Sequence, residues 1–120
     1  MARLSIEILD AASGIMAEGV PLQVRKIVDG EWKALPEALT KNGGSAILGE
    51  AGDIDSGGYF EVLVFLGAYF DSQGHDLPQM KLVDIVPLRF GLEPDAGDVG
   101  IRISITPHGY NAGFVTGQAA

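Results

Sequence analysis

The stretch LSIEILDAASGIMAEGVP, residues 4–21, decides how the rest of the chain is read. Leu4, Ile6 and Ile8 alternate with Ser5, Glu7 and Leu9, the period of two of a β-strand with one face on a core. A loop of small and polar residues follows, and Val20 opens another alternating run. There Val20, Leu22 and Val24 share one face, with Gln23 and Arg25 on the other. A carboxylate, Glu7, stands mid-strand on the face opposite the apolar set. It is either a solvated side chain or a group placed for chemistry.

The same punctuation continues outward. Seventeen glycines and six prolines cut the chain into short pieces, the pattern of an all-β domain with many turns. Trp32 to Leu39 reads as a weaker strand. NGG at 42–44 marks a turn before a short SAIL strand, and 52–58 is a Gly/Asp/Ser loop. YFEVLVFL at 59–66 is rich in β-branched and aromatic residues and reads as a central strand. GAYFDSQG at 67–74 predicts one or two helical turns closed by Gly74, and 75–84 a loop. Pro87 cannot donate to a ladder, which makes 85–92 an edge strand or a bulge. After a turn at 93–98, Ile101, Ile103 and Ile105 face one way and Gly100, Arg102, Ser104 and Thr106 the other. PHGY at 107–110 turns the chain into a last strand at 110–116. The expected fold is all-β: a two-sheet sandwich of seven or eight strands with one short helix.

The length of 120 residues predicts one domain, 1–120. Sixteen acids against eight lysines and arginines give a net charge of −8, which disfavours nucleic acid and anionic membrane as partners. With no cysteine, disulfides and thiolate–metal sites are excluded. No apolar run approaches the ~20 residues of a membrane span. Glu7 and Asp10 interrupt any signal-peptide core, so a cytoplasmic location is expected. No cofactor and no metal are expected. His75 and His108 lack ligand spacing, and Asp53 and Asp55 lack the calcium-loop pattern, which leaves them as loop acids. His75 is expected to be exposed, and Trp32 to pack on a sheet.

LDAASG (9–14) and AEGVP (17–21) resemble the opening of the transthyretin and 5-hydroxyisourate hydrolase family. The resemblance extends along the chain through Trp32 and Leu35, GGYFEVLVF followed by AYFDSQG, Phe90 and Leu92, and ITPHGYN at 105–111. It implies an eight-stranded transthyretin-like sandwich that pairs into dimers, two of which enclose a central channel as a homotetramer. In the hydrolases that channel holds the active sites, and in the vertebrate carriers it binds thyroid hormone. The resemblance also aligns the hydrolases' catalytic groups with other residues here. Glu7 stands for the first-strand histidine and Ser45 for the arginine after the turn. Asp98, Val99 and Gly100 stand for H-Y-H, and Gly113, Phe114, Val115 and Thr116 for the C-terminal Y-R-G-S. The scaffold is kept and the catalytic set is replaced.

By the same resemblance the first and penultimate strands are neighbours and their outward face lines the channel. Glu7, Arg102 and Ser45 are then the candidate catalytic residues. Glu7 would serve as a general base toward water and Arg102 as a holder of an anionic ring or a developing oxyanion. Leu9, Gly100, Ser104, Asn111, Gly113 and His108 are the candidate ligand contacts for a small molecule. Three functions compete. The first is a hydrolase, or a ring-opening or isomerising enzyme, on a cyclic amide or lactone other than 5-hydroxyisourate. The second is a non-catalytic binder or assembly partner. The third is a 5-hydroxyisourate hydrolase with substitute residues.

Overall fold

The computed structural model describes residues 3–41 and 43–116. Asn42, the first residue of the expected NGG turn, lies outside them. Strand β1 (Arg3–Asp10) is the hub of one sheet. One of its edges pairs antiparallel with β2 (Ile15–Met16) and β6 (Ser45–Glu50), the other parallel with β9 (Val99–Thr106). Strand β10 (Gly109–Thr116) closes that sheet against β9. The second sheet runs β4 (Glu31–Ala34), β3 (Pro21–Val28), β7 (Gly58–Phe65), β8 (Ile85–Leu92), with β5 (Ala38–Leu39) also on β3. Helices α1 (Ala51–Ile54) and α2 (Leu66–Ser72) flank β7 in sequence.

The core forms where the alternation places it. Leu4, Ile6 and Ile8 are fully buried with Ile101, Ile103 and Ile105, and they face Leu22, Val24, Phe60, Val62 and Val64 of the second sheet. Each such side chain contributes about 1.5–3 kcal/mol relative to exposure. β8 is an edge strand, as Pro87 requires.

Ten strands stand among the described residues where seven or eight are expected. The extra ones include the two-residue pairings β2 and β5, too short to show a period. The expected strand from Trp32 to Leu39 splits in two around Pro36, which lies outside both pieces. The expected loop at 52–58 contains α1, where the Asp53 carboxylate accepts the Glu50 N–H at 3.0 Å. Asp53 is therefore a helix cap rather than a loop acid. There are two short helices, not one. None of the described helices is long and apolar enough to cross a membrane.

Two local devices fix the ends of the strands that carry Glu7 and Ser45. Asp10 ends β1 almost wholly buried. Its Oδ1 accepts the N–H groups of Ala12 and Ser13 at 3.0 and 3.2 Å, and its Oδ2 accepts the Tyr69 hydroxyl at 2.9 Å. Burial pushes the Asp10 carboxyl up, but the hydrogen bonds from Ser13, Tyr69 and Ala12 outweigh it and hold the group below its ordinary range. The Tyr69 phenol is pushed up to about 12 by burial and by the adjoining carboxylate.

Gly44 enters β6 with φ +66°, and a Cβ there would lie 2.6 Å from the Ile8 carbonyl oxygen and 2.9 Å from the Ala17 nitrogen. Both are backbone atoms, so no side chain can yield. Gly44→Ala is expected to cost about 2 kcal/mol, combining left-handed strain with the clash. Urea denaturation measures it, and an unchanged midpoint would show that β6 moves freely against β1.

Candidate functional site

Strand register brings the candidate residues onto one face. Glu7 pairs with Arg102 on β9 and with Ser45 on β6, and Arg102 pairs with Gly113 on β10. These four form a rung across the outer face of the β1 sheet, since directly paired residues point the same way. The next rung is Met16, Leu9, Ser104 and Asn111, and the one on the other side is Ile47, Ser5, Gly100 and Val115. On β1 the face residues Ser5, Glu7 and Leu9 alternate with core Leu4, Ile6 and Ile8, and on β9 Gly100, Arg102 and Ser104 alternate with core Ile101, Ile103 and Ile105.

Arg102 Nε stands 3.5 Å from Glu7 Oε1, with side-chain exposures of 69% and 54%. At that exposure, in a single chain, such a pair contributes only ~0.2–1 kcal/mol. The pair sits between two depressions. One, of ≈ 450 Å³, is bounded by Glu7, Leu9, Met16, Arg102, Ser104, Asn111 and Gly113. The other, of ≈ 210 Å³, is bounded by Arg3, Ser5, Glu7, Asp98, Gly100 and Arg102. A Cβ at Gly113 would meet nothing within 4 Å and one at Gly100 only the Ser5 hydroxyl at 3.8 Å, so both glycines leave open floor. Exposed Leu9, Met16 and Ile47 share this face with the polar centre. The arrangement offers a carboxylate, a guanidinium, hydroxyls and an amide on an apolar-rimmed surface. Among the described residues no three His, Asp or Glu side chains gather as a metal site.

The sequence profile of the HIUase/Transthyretin family matches residues 4–112. The chain belongs to this family. It is 30% identical over 112 residues to the 5-hydroxyisourate hydrolase of Mesorhizobium japonicum, covering 91% of this chain and 88% of that protein. The structure superimposes on transthyretin from Sparus aurata with a TM-score of 0.85 at 23% identity, over 98% of this chain and 100% of that one. It also superimposes on (S)-allantoin synthase, with a TM-score of 0.84 at 21% identity. That match takes 98% of this chain but 44% of the synthase, so the chain spans less than half of that protein's length. At these identities the structures establish the fold, which is the transthyretin-like sandwich read from the sequence.

Not every candidate residue of this family member borders the two depressions. Ser45 is the cross-strand neighbour of Glu7, yet it borders neither depression. It opens instead onto a larger cleft of ≈ 850 Å³ between β6 and the β3–β5 pair, with Leu39, Lys41 and Phe65. His108 is exposed in the β9–β10 turn, where its N–H donates to the Thr106 hydroxyl at 3.2 Å, and it borders neither depression. His75, expected to be exposed, is half-buried, because its ring packs edge-on against Phe70 at 5.0 Å.

The alternation did not reveal a second charged cluster on the outer face of the other sheet. Glu61 on β7 is buried there between Arg25 on β3 and Arg89 on β8. Arg25 donates to Glu61 Oε1 through Nε at 2.8 Å and also through a terminal nitrogen. Arg89 donates to Oε2 through Nε and a terminal nitrogen at 3.4 and 3.2 Å. Both guanidinium carbons lie 4.9 Å from the Trp32 ring centre, so the indole lids the cluster. Burial raises the Glu61 carboxyl, and the two arginines outweigh that and hold it below its ordinary range. Trp32 thus packs on its sheet as expected, over arginines rather than aliphatic groups. A signal was available: Glu61 breaks the otherwise apolar run of β7 on the outward parity.

Proposed function

We propose that this chain is a hydrolase of a cyclic amide or lactone other than 5-hydroxyisourate. It would work as a homotetramer in which copies cover the outer face of the β1 sheet and enclose a channel. The observation that carries the reading is the Glu7–Arg102 pair at the centre of that face, between two depressions and beside two glycines. The exposed apolar side chains of Leu9, Met16 and Ile47 on that face support a covering copy, because a working site must exclude water that a lone sheet face does not.

In this reading Glu7 takes a proton from water as the water oxygen attacks the ring carbonyl carbon. Arg102 leaves its exposed partner to hold the resulting oxyanion. The tetrahedral carbon then collapses, the ring C–N or C–O bond breaks, and Glu7 returns its proton to the departing atom. The product is the open-chain acid carrying a free amine or hydroxyl. Leu9, Ser104, Asn111 and the open positions Gly100 and Gly113 would hold the ring, and Ser45 would supply a hydroxyl beside Glu7.

Ring opening of a panel of five- and six-membered cyclic amides, lactones and fresh 5-hydroxyisourate, followed by ultraviolet decay, tests this. The expected result is turnover of a panel member, with 5-hydroxyisourate decaying at its spontaneous rate. Glu7→Gln should lower turnover at least ~100-fold. Turnover untouched by Glu7→Gln, or a monomer in sedimentation at micromolar concentration, would rule the reading out.

A second reading, a non-catalytic binder, draws on the same pair. At 3.5 Å the pair sets a guanidinium donor beside a carboxylate acceptor, which suits an anchor for a polar ligand. A ligand retained through purification without turnover would favour it.

A further inference from the structure

We infer that Asp98 is a specificity-determining residue of the proposed site, accepting a hydrogen bond from a ring N–H of the molecule bound there. This rests on the channel reading above and decides between the two ring classes it leaves open. Asp98 immediately precedes β9. Val99 after it is buried in the core, and Gly100 returns to the outer face. Asp98 borders the ≈ 210 Å³ depression on that face, together with Gly100 and the Glu7–Arg102 pair.

Its Oδ1 is buried without a hydrogen-bond partner, and no other side-chain nitrogen or oxygen among the described residues is in that state. Buried polar atoms in folded proteins are otherwise nearly always paired, so an orphaned carboxylate oxygen marks a place reserved for a donor. An ionised carboxylate only accepts, and a guanidinium only donates. A ring lying over Gly100 would therefore present a donor toward Asp98 and a carbonyl toward Arg102. A cyclic amide with a free N–H has both, whereas a lactone has no donor and leaves Oδ1 unpaired. Gly100 matters because a side chain there would stand between the two.

Hydantoin and its N,N′-dimethyl derivative serve as probes, alike in ring and carbonyls but differing in N–H. Dissociation constants from ligand-observed NMR are measured on the unmodified protein, Asp98→Ala, Asp98→Asn and the control Glu31→Gln. The unmodified protein should prefer hydantoin at least ~10-fold, as sites built around a hydrogen bond do. Asp98→Ala should bring the ratio close to one, and Glu31→Gln, on β4 of the other sheet, should leave it in place. Neither Asp98 variant should melt below the unmodified protein, since the lost oxygen has no partner in the fold. Equal ratios in the unmodified protein and Asp98→Ala, no binding of either probe, or a lowered Tm in both Asp98 variants would each overturn the inference. Failure of the hydrolase reading looks different. Ring opening would then be absent or independent of Glu7, while the hydantoin preference and its loss in Asp98→Ala persist.

Discussion

A protein carrying Arg25→Met and Arg89→Met together is expected to lose about 3–5 kcal/mol of stability at pH 7. The size follows from an asymmetry of exposure. Glu61 is buried, while the arginine side chains are 41% and 61% exposed. Removing the glutamate leaves two cations that water can reach, so Glu61→Leu alone should cost about 1 kcal/mol or less. Removing the arginines leaves a carboxylate with neither water nor partner. Adding Glu61→Leu to the double variant should restore most of the loss, because an apolar residue of similar volume tolerates the site.

The pH dependence should reverse as well. In the unmodified protein the folded Glu61 carboxyl is depressed, so its stabilisation is present above the unfolded value of about 4.3 and is lost as pH falls through the folded one. In the double variant burial acts alone and raises the group, so acidification below pH 7 should recover stability. Urea midpoints at pH 7 and pH 5 decide. A double variant within 1 kcal/mol of the unmodified protein would show that Glu61 reaches solvent.

Asp10→Ala is the second large effect, about 2–4 kcal/mol, or roughly 10 °C in Tm. It strands the buried Tyr69 hydroxyl and the N–H groups of Ala12 and Ser13. Tyr69→Phe removes only one donor and should cost about 1 kcal/mol. The two should be non-additive, since after Asp10→Ala the hydroxyl has nothing to lose. Two pH windows belong to this pair. The Asp10 carboxyl is depressed on folding, so its contribution is complete above the unfolded value of about 3.9 and disappears as pH falls through the folded value. The Tyr69 phenol is raised to about 12, so its contribution is complete below the unfolded value near 10 and is lost between there and about 12. Tyr69→Phe should remove the alkaline limb, read from thermal melts between pH 9 and 12. A limb unchanged by Tyr69→Phe would show that another group is responsible.

What the sequence reveals is set by parity. Leu4, Ile6 and Ile8 and their isoleucine counterparts on β9 alternate without fault, so the core and the outward placement of Glu7, Arg102 and Ser104 follow from the chain alone. That Glu7 faces Arg102 does not, because a parallel pairing between segments at opposite ends of the chain leaves no local trace. The family resemblance supplied it. Strands β2 and β5 escaped because two residues have no period. The β3–β4 hairpin turns on Asp29 and Gly30, both at positive φ, and this Asp-Gly pair was a legible turn signal that alternation alone passed over. The unpaired state of Asp98 was invisible for a different reason. Whether a carboxylate has a partner is a property of three dimensions, and residue type carries none of it.

The parallel seam between β1 and β9 has a consequence for how the chain comes into being. The ribosome releases Leu4, Ile6 and Ile8 early, but their partner strand emerges only after β3, β7 and β8 have been made. At about 5–20 residues per second the greasy first strand waits several seconds with one flank uncovered. The other sheet can nucleate meanwhile from its hairpins, while the Glu7 face comes together last. Nascent chains stalled before residue 99 should therefore bind holding chaperones and lack any trace of the pocket.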